Sequence, residues 1–411
     1  MTLGTVLAQS INVFIQPILT RLYSPNVLGM YTVIVSIASI IIPVASLKIE
    51  MLIVSSESDI EAQKLTDLSI LISVFVSLLS FIMILILFFF PKENFTQKYG
   101  LIVFFIPILI FTNGIRFIFI SYNNRYKEYK KIAVVGMFRE LSRAVIQTLS
   151  KFLSLGIFGL LSGYAISPIL GFKIQAIKYL NKLKERKFIN IDESRVLLKT
   201  KGKNQILYLV PAQLLNSISA SFITLSISTL FSDKIVGYYS AGVRILDVPI
   251  VFITANVSKV MFQKFSENKI NRRENFPIFI RVVKILGILS ILGFGILYTI
   301  APKMSEIVFG KGYYITGNYI RLLTLMYFIR FVTTSFSGVY TIYNFQRFEL
   351  MLNILLIGLA IFAQFISKNN NYSVETYFRF INISYTIVYL LTFIGYFVVI
   401  KSYDKNLRKE I

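Results

Sequence analysis

The sequence predicts an all-α polytopic membrane protein with twelve transmembrane helices, arranged as two parallel six-helix pseudo-repeats around a central cavity. Three observations predict this: long stretches free of charge, a Lys/Arg count that alternates from loop to loop, and an internal repeat at half the chain length. Hydrophobic residues make up 55% of the 411 and charged residues only 15%, with a mean hydropathy of +0.68. A soluble domain carries about a quarter charged residues.

A bilayer core takes about 20 apolar residues per helical span. Runs without Asp, Glu, Lys or Arg cover 22–47, 68–90, 152–172, 204–232, 285–302, 350–367 and 380–400. Membrane-barrel strands show segments of roughly 10 residues with alternating hydrophobicity instead, so the spans are helical. Spans are expected at 3–20, 27–47, 67–90, 101–122, 132–151, 153–172, 204–230, 236–258, 281–301, 319–342, 350–367 and 379–400. The amino terminus lacks a basic stretch followed by a small-residue cleavage site, so the first span is expected to be retained.

Twelve spans place both termini on one side, and the basic residues say which. One set of loops holds 28 of the 43 Lys and Arg residues, ten of them between 173 and 203, while the alternate set, which includes Lys92 and Lys98, holds 8. By the positive-inside rule the rich set and both termini are cytoplasmic. The net charge of +23 follows from these loops and needs no nucleic acid as partner.

The repeat matches residues 22–31 (LYSPNVLGMY) to 230–239 (LFSDKIVGYY), with Ser, Gly and the second Tyr recurring at an offset of 208. Both copies form the turn between the first two spans of a half. Six spans per half make the repeat parallel, a transporter design whose substrate site lies near the midplane. The expected organisation is an amino-terminal lobe over 1–177, a basic cytoplasmic linker over 178–203 and a carboxy-terminal lobe over 204–411.

With no Cys and no His, thiolate catalysis, disulfides and the usual metal ligands are excluded. No metal site, cofactor or catalytic residue is expected, and the chain reads as a non-enzyme. A membrane polysaccharide polymerase is the less favoured alternative, because no outside loop is long enough to carry its reacting groups. The informative residues are polar groups at membrane depth. Gln9, Asn12 and Gln16 share one face of the first span at spacings of 3 and 4, and they suit either helix packing or a water-filled cavity.

Charges at a helix centre cost about 2.5–3.5 kcal/mol each on the insertion scale. Arg116, Arg139, Glu140, Arg143, Arg244, Asp247 and Arg330 all fall near mid-span. Glu140 with Arg143 and Arg244 with Asp247 are spaced to pair on one helix face. Arg116, Arg139 and Arg330 are expected to have no local partner. Five guanidinium groups against two carboxylates call for an anion or water, and phosphate or diphosphate is the anion that fits the guanidinium fork. Glu140 and Asp247 are candidates for ion coupling or charge pairing.

The segments 4–9 (GTVLAQ), 17–25 (PILTRLYSP), 29–31 (GMY) and 47–50 (LKIE), with 237–240 (GYYS), 308–310 (VFG) and 319–323 (YIRLL), resemble bacterial polysaccharide flippases. These are the Wzx-type translocases of O-antigen and capsule repeat units, in the multidrug/oligosaccharidyl-lipid/polysaccharide exporter superfamily. The resemblance implies flipping of an undecaprenyl-diphosphate-linked oligosaccharide from the cytoplasmic to the outer leaflet of the bacterial inner membrane, by ion-coupled alternating access. It also implies lipopolysaccharide, capsule or exopolysaccharide assembly as the setting, with a polysaccharide polymerase and a chain-length regulator as pathway partners. Another flippase or a drug or lipid exporter of the superfamily is the alternative. Substrate binding is expected at Arg116, Arg139, Arg143, Arg244 and Arg330, with Gln9, Asn12 and Gln16.

Overall fold

The computed structural model describes residues 2–89, 94–184 and 187–410, with side chains left undescribed at 2–6, 94 and 410. Lys92 and Arg186, counted above among the loop charges, lie outside the described residues. Helices occupy all twelve expected stretches. Among the described residues nine helices are long and apolar enough to cross a membrane, or ten if the bent pair Gly156–Leu170 and Phe172–Lys184 counts as one span. The other two stretches are the first, helical over Thr2–Phe14 and Gln16–Leu22, and the helix Tyr129–Phe152. The latter carries six charged side chains, and three of them, Arg139, Glu140 and Arg143, belong to the candidate site below.

The surface is apolar where a soluble protein would be polar. Phe75 and Met83 are 65% and 63% exposed on the helix Asp59–Phe89. Such side chains face lipid, where no apolar burial is needed, and the polar residues turn inward instead. Thr66, Asp67, Ser69 and Ser73 on the same helix are fully buried.

The chain divides into two compact units, Met1–Ser228 with Asp233–Gly237 and Thr229–Ser232 with Tyr238–Ile411. The repeat-based boundary at 204 assigns the helix Val210–Leu230 to the second half, whereas most of it belongs to the first unit by contact. Ser221 of that helix donates to the Ser36 carbonyl at 3.1 Å.

In the first unit, Tyr129–Phe152 packs against Gly156–Leu170 and Thr2–Phe14, and Asp59–Phe89 against Phe105–Arg125. Gln147 ties three helices together: it donates to the Tyr31 hydroxyl at 3.2 Å and the Leu160 carbonyl at 2.9 Å, while its own carbonyl accepts from Tyr23 at 2.7 Å. Breaks fall where the sequence supplies them. Pro43 ends the helix Pro25–Ile41, and the chain then passes Leu47 and Lys48 with φ of 51° and 62° before resuming at Glu50–Ser55. Pro168 and Gly171 produce a 40° bend between Gly156–Leu170 and Phe172–Lys184. Pro249 precedes one π-helical stretch, Ile250–Thr254.

The repeated turn has a physical cause in the first unit. Ser24 caps Pro25–Ile41, accepting from the Val27 amide at 3.4 Å, with Pro25 in the first helical turn. A Cβ on Gly29 would overlap the Asp233 carbonyl, and one on Gly237 would overlap the Pro25 carbonyl. The two copies touch backbone to backbone, so glycine recurs in both.

In the second unit, Phe276–Phe309 packs on Tyr314–Thr334, which packs in turn on Val374–Glu410. Phe265, Phe279, Phe331, Phe336 and Phe378 are fully buried there, beside buried polar groups such as Asn275 and Thr316.

Candidate functional site

Helix Tyr129–Phe152 places Arg139, Glu140 and Arg143 on neighbouring faces. The Glu140 carboxylate is 2% exposed and is shared: Arg139 Nη2 pairs with Oε1, and Arg143 Nη2 lies 2.5 Å from Oε2. Arg143 also sits 5.4 Å from the centre of the Tyr164 ring. One carboxylate with two acceptor oxygens thus serves two guanidinium groups.

Arg116 approaches from the helix Phe105–Arg125. Its guanidinium stacks 4.2 Å from the Phe117 ring centre, and its buried Nε has no hydrogen-bond partner. It faces a cavity of about 230 Å³ lined also by Gln9, Asn12, Arg139, Glu140 and Gln175, with Gly136 and Pro168 in the wall. Three arginines against one glutamate leave an excess of positive charge around a water-accessible space. Guanidinium, amide and carboxamide donors there can hold an anion with several oxygens.

Five expected site residues, Gln9, Asn12, Arg116, Arg139 and Glu140, therefore line one cavity. Arg143 stands behind Glu140 rather than in the wall. Gln16 is buried in helix packing, and its carbonyl accepts from the Thr20 hydroxyl at 3.1 Å.

Arg244, Asp247 and Arg330 belong to the second unit. Arg330 Nη1 lies 3.3 Å from Asp247 Oδ1, and its guanidinium is 5.2 Å from the Tyr327 ring centre. Arg244 is within electrostatic reach of the same carboxylate, and Tyr239 and Tyr389 are within that range of Arg330.

One expectation is corrected. Arg139 pairs with its sequence neighbour Glu140, because a long arginine side chain can fold back onto an adjacent carboxylate. Arg330 finds its partner at long range, in Asp247 83 positions away on another helix. Of the three arginines expected to lack a local partner, Arg116 alone is without a carboxylate partner among the described residues.

Sequence reasoning missed Gln175, which follows Pro168 by seven positions on the bent helix pair and lines the cavity. It also missed a buried cluster in the first unit. Asp233 accepts from Ser228 at 2.6 Å, Tyr99 at 2.8 Å and Lys98 at 3.0 Å. Asp233 occupies the position of Pro25 in the repeat, so its departure from the first copy was the available signal.

Residues 18–315 match the family model described as "Polysaccharide biosynthesis protein". The chain belongs to this family. For this polysaccharide biosynthesis family member no curated protein gives a significant sequence match. Its fold is shared with transporters of the MOP superfamily. The lipid II flippase MurJ, in an inward closed conformation, superposes with a TM-score of 0.73 at 13% identity, covering 98% of this chain and 90% of that one. An outward-facing multidrug resistance MATE family transporter superposes at 0.62, with 13% identity and 99% and 95% coverage. A MOP superfamily transporter from Pyrococcus furiosus, described as having a reversed polarity of its binding pocket that suggests a different function, gives 0.58 at 12% identity, covering 98% and 95%.

Proposed function

We propose that the protein flips an undecaprenyl-diphosphate-linked oligosaccharide from the cytoplasmic to the outer leaflet of the bacterial inner membrane, by ion-coupled alternating access. The observation that carries this reading is Arg116, a guanidinium that has no carboxylate partner among the described residues and faces a cavity lined also by Gln9, Asn12, Arg139 and Gln175. Family membership supports the saccharide, and the excess of arginine over glutamate supports the diphosphate. Arg139 with Gln9 and Asn12 supplies further donors, and Glu140 keeps Arg139 and Arg143 in place between cargo molecules.

Arg330, Arg244 and Asp247 form a second basic site in the other unit, to which the same cargo is assigned. The lobes are assigned as 1–177 and 204–411, joined by the cytoplasmic linker 178–203, with both termini cytoplasmic. A polysaccharide polymerase and a chain-length regulator are the pathway partners on this reading.

Purified protein in vesicles, loaded with a fluorescent undecaprenyl-diphosphate oligosaccharide, tests the proposal. Wild type moves the lipid between leaflets, and Arg116→Gln slows it about tenfold or more, the loss expected when a charged hydrogen bond to cargo is removed. Equal rates in the two proteins contradict the reading. Transport of a lipophilic cation in place of the glycolipid would favour a drug exporter of the same superfamily.

A further inference from the structure

A second cavity of about 310 Å³ adjoins the first unit's polar one. The two share Arg116, Pro168 and Gln175 in their linings. Ile70, Phe111, Ile115, Phe119, Ile169 and Phe172 make the rest of the second wall largely apolar. Phe111 and Ile169, 40% and 54% exposed, stand at its lipid side. The slot lies where Gly156–Leu170 bends by 40° into Phe172–Lys184, so Pro168 and Gly171 open it by turning one helix away from its neighbour.

We infer that this slot seats the prenyl carbons next to the phosphate of the cargo lipid, with Arg116 holding the phosphate at the boundary between the two cavities. The inference rests on the proposed cargo and adds a binding site for its tail. A flippase cargo has a polar head that needs a wet cavity and a long hydrocarbon chain that cannot enter one. The junction between them is the phosphate, and Arg116 is the residue common to both spaces.

An apolar slot attracts no chain from surrounding lipid by hydrophobicity alone, since lipid tails are as apolar as the slot. Its contribution is shape: aromatic rings of Phe111, Phe119 and Phe172 leave a short space that suits flat, branched isoprene units. The charge excludes zwitterionic lipids, and the shape of the slot separates a prenyl chain from the acyl chains of an anionic phospholipid. A zwitterionic phospholipid carries its own cation beside the phosphate and competes poorly for a lone guanidinium.

The test uses the full-length protein in phosphatidylcholine vesicles and a polyprenyl phosphate carrying a photoreactive diazirine on its second isoprene unit. Mass spectrometry then locates the adducts. Labelling is expected on 111–119 and 168–179, displaced by unlabelled polyprenyl phosphate and not by phosphatidylglycerol. It should fall about tenfold in Arg116→Gln and be lost in Ile169→Trp, which fills the slot from its lipid side. Phe75→Trp, which puts the same ring at a lipid-facing position outside both cavities, should keep it and serves as the folding control. Labelling spread over all lipid-facing helices, equal displacement by phosphatidylglycerol, or unchanged labelling in Ile169→Trp each overturns the inference. Glycolipid translocation is measured on the same samples. Labelling of the slot without translocation counts against the proposed function alone, and translocation with no labelling of the slot counts against the inference alone.

Discussion

Replacing Glu140 by Gln removes the single carboxylate among three arginines of the first unit. Glu140 is 2% exposed, while the Arg139 and Arg143 side chains keep 21% and 16% of their surface open. Breaking a buried ion pair by deleting one partner costs about 3–5 kcal/mol. The partial exposure of both arginines moves the expectation to the lower end, about 3 kcal/mol. Unfolding entropy of about 2.1 cal/mol/K per residue over 411 residues gives roughly 0.9 kcal/mol/K. Glu140→Gln should therefore lower the melting temperature in detergent by about 3–4 °C. Pyrophosphate should restore part of that loss, because an anion bound to the folded state stabilises it by mass action. Arg143→Gln added to Glu140→Gln should also recover stability, with a coupling of about 1–3 kcal/mol in the double-mutant cycle. A melting temperature unchanged in Glu140→Gln, with no coupling to Arg143, would refute the shared ion pair as the support of the site.

Three further outcomes are expected. Asp233→Ala leaves the Lys98, Tyr99 and Ser228 donors without their common acceptor; with Lys98 39% exposed, thermal unfolding should register a loss of about 2 kcal/mol, and wild-type stability would remove the cluster as a structural element. Gly237→Ala forces a methyl onto the Pro25 carbonyl, so it should destabilise by about 1–3 kcal/mol on thermal unfolding, whereas Gly136→Ala, where a Cβ meets nothing within 4 Å, should be neutral. A tag inserted between residues 178 and 203 should react with an impermeant label only after cells are opened, and labelling of intact cells would overturn the assigned topology.

The helices were legible because membrane spans write themselves as uncharged runs, and lipid imposes that composition locally. Helix Tyr129–Phe152 turns Arg139, Glu140 and Arg143 inward, so its chemistry stood out while its hydropathy did not. Arg116, Arg139 and Glu140 could be singled out by the cost of charge at membrane depth. The pairing of Glu140 with Arg143 was legible from its spacing, but the long-range partners were not. Spacing rules find pairs one helical turn apart, yet Arg330 meets Asp247 across 83 positions and Lys98 meets Asp233 across 135. The apolar slot was equally hidden, since Pro168 and Gly171 signal a bend without giving its direction or what it uncovers. The recurring Gly29 and Gly237 were visible as a repeat, but their reason, contact between backbones, belongs to packing alone.

On this reading guanidinium groups at membrane depth receive an anionic headgroup, and titration of the purified protein with pyrophosphate measures that binding most directly. Saturable binding that weakens about tenfold or more in Arg116→Gln and is kept in Arg321→Gln, whose guanidinium instead caps the Tyr298 and Thr299 carbonyls, is the predicted result. Binding of equal strength in wild type and Arg116→Gln, or none in either, would contradict it.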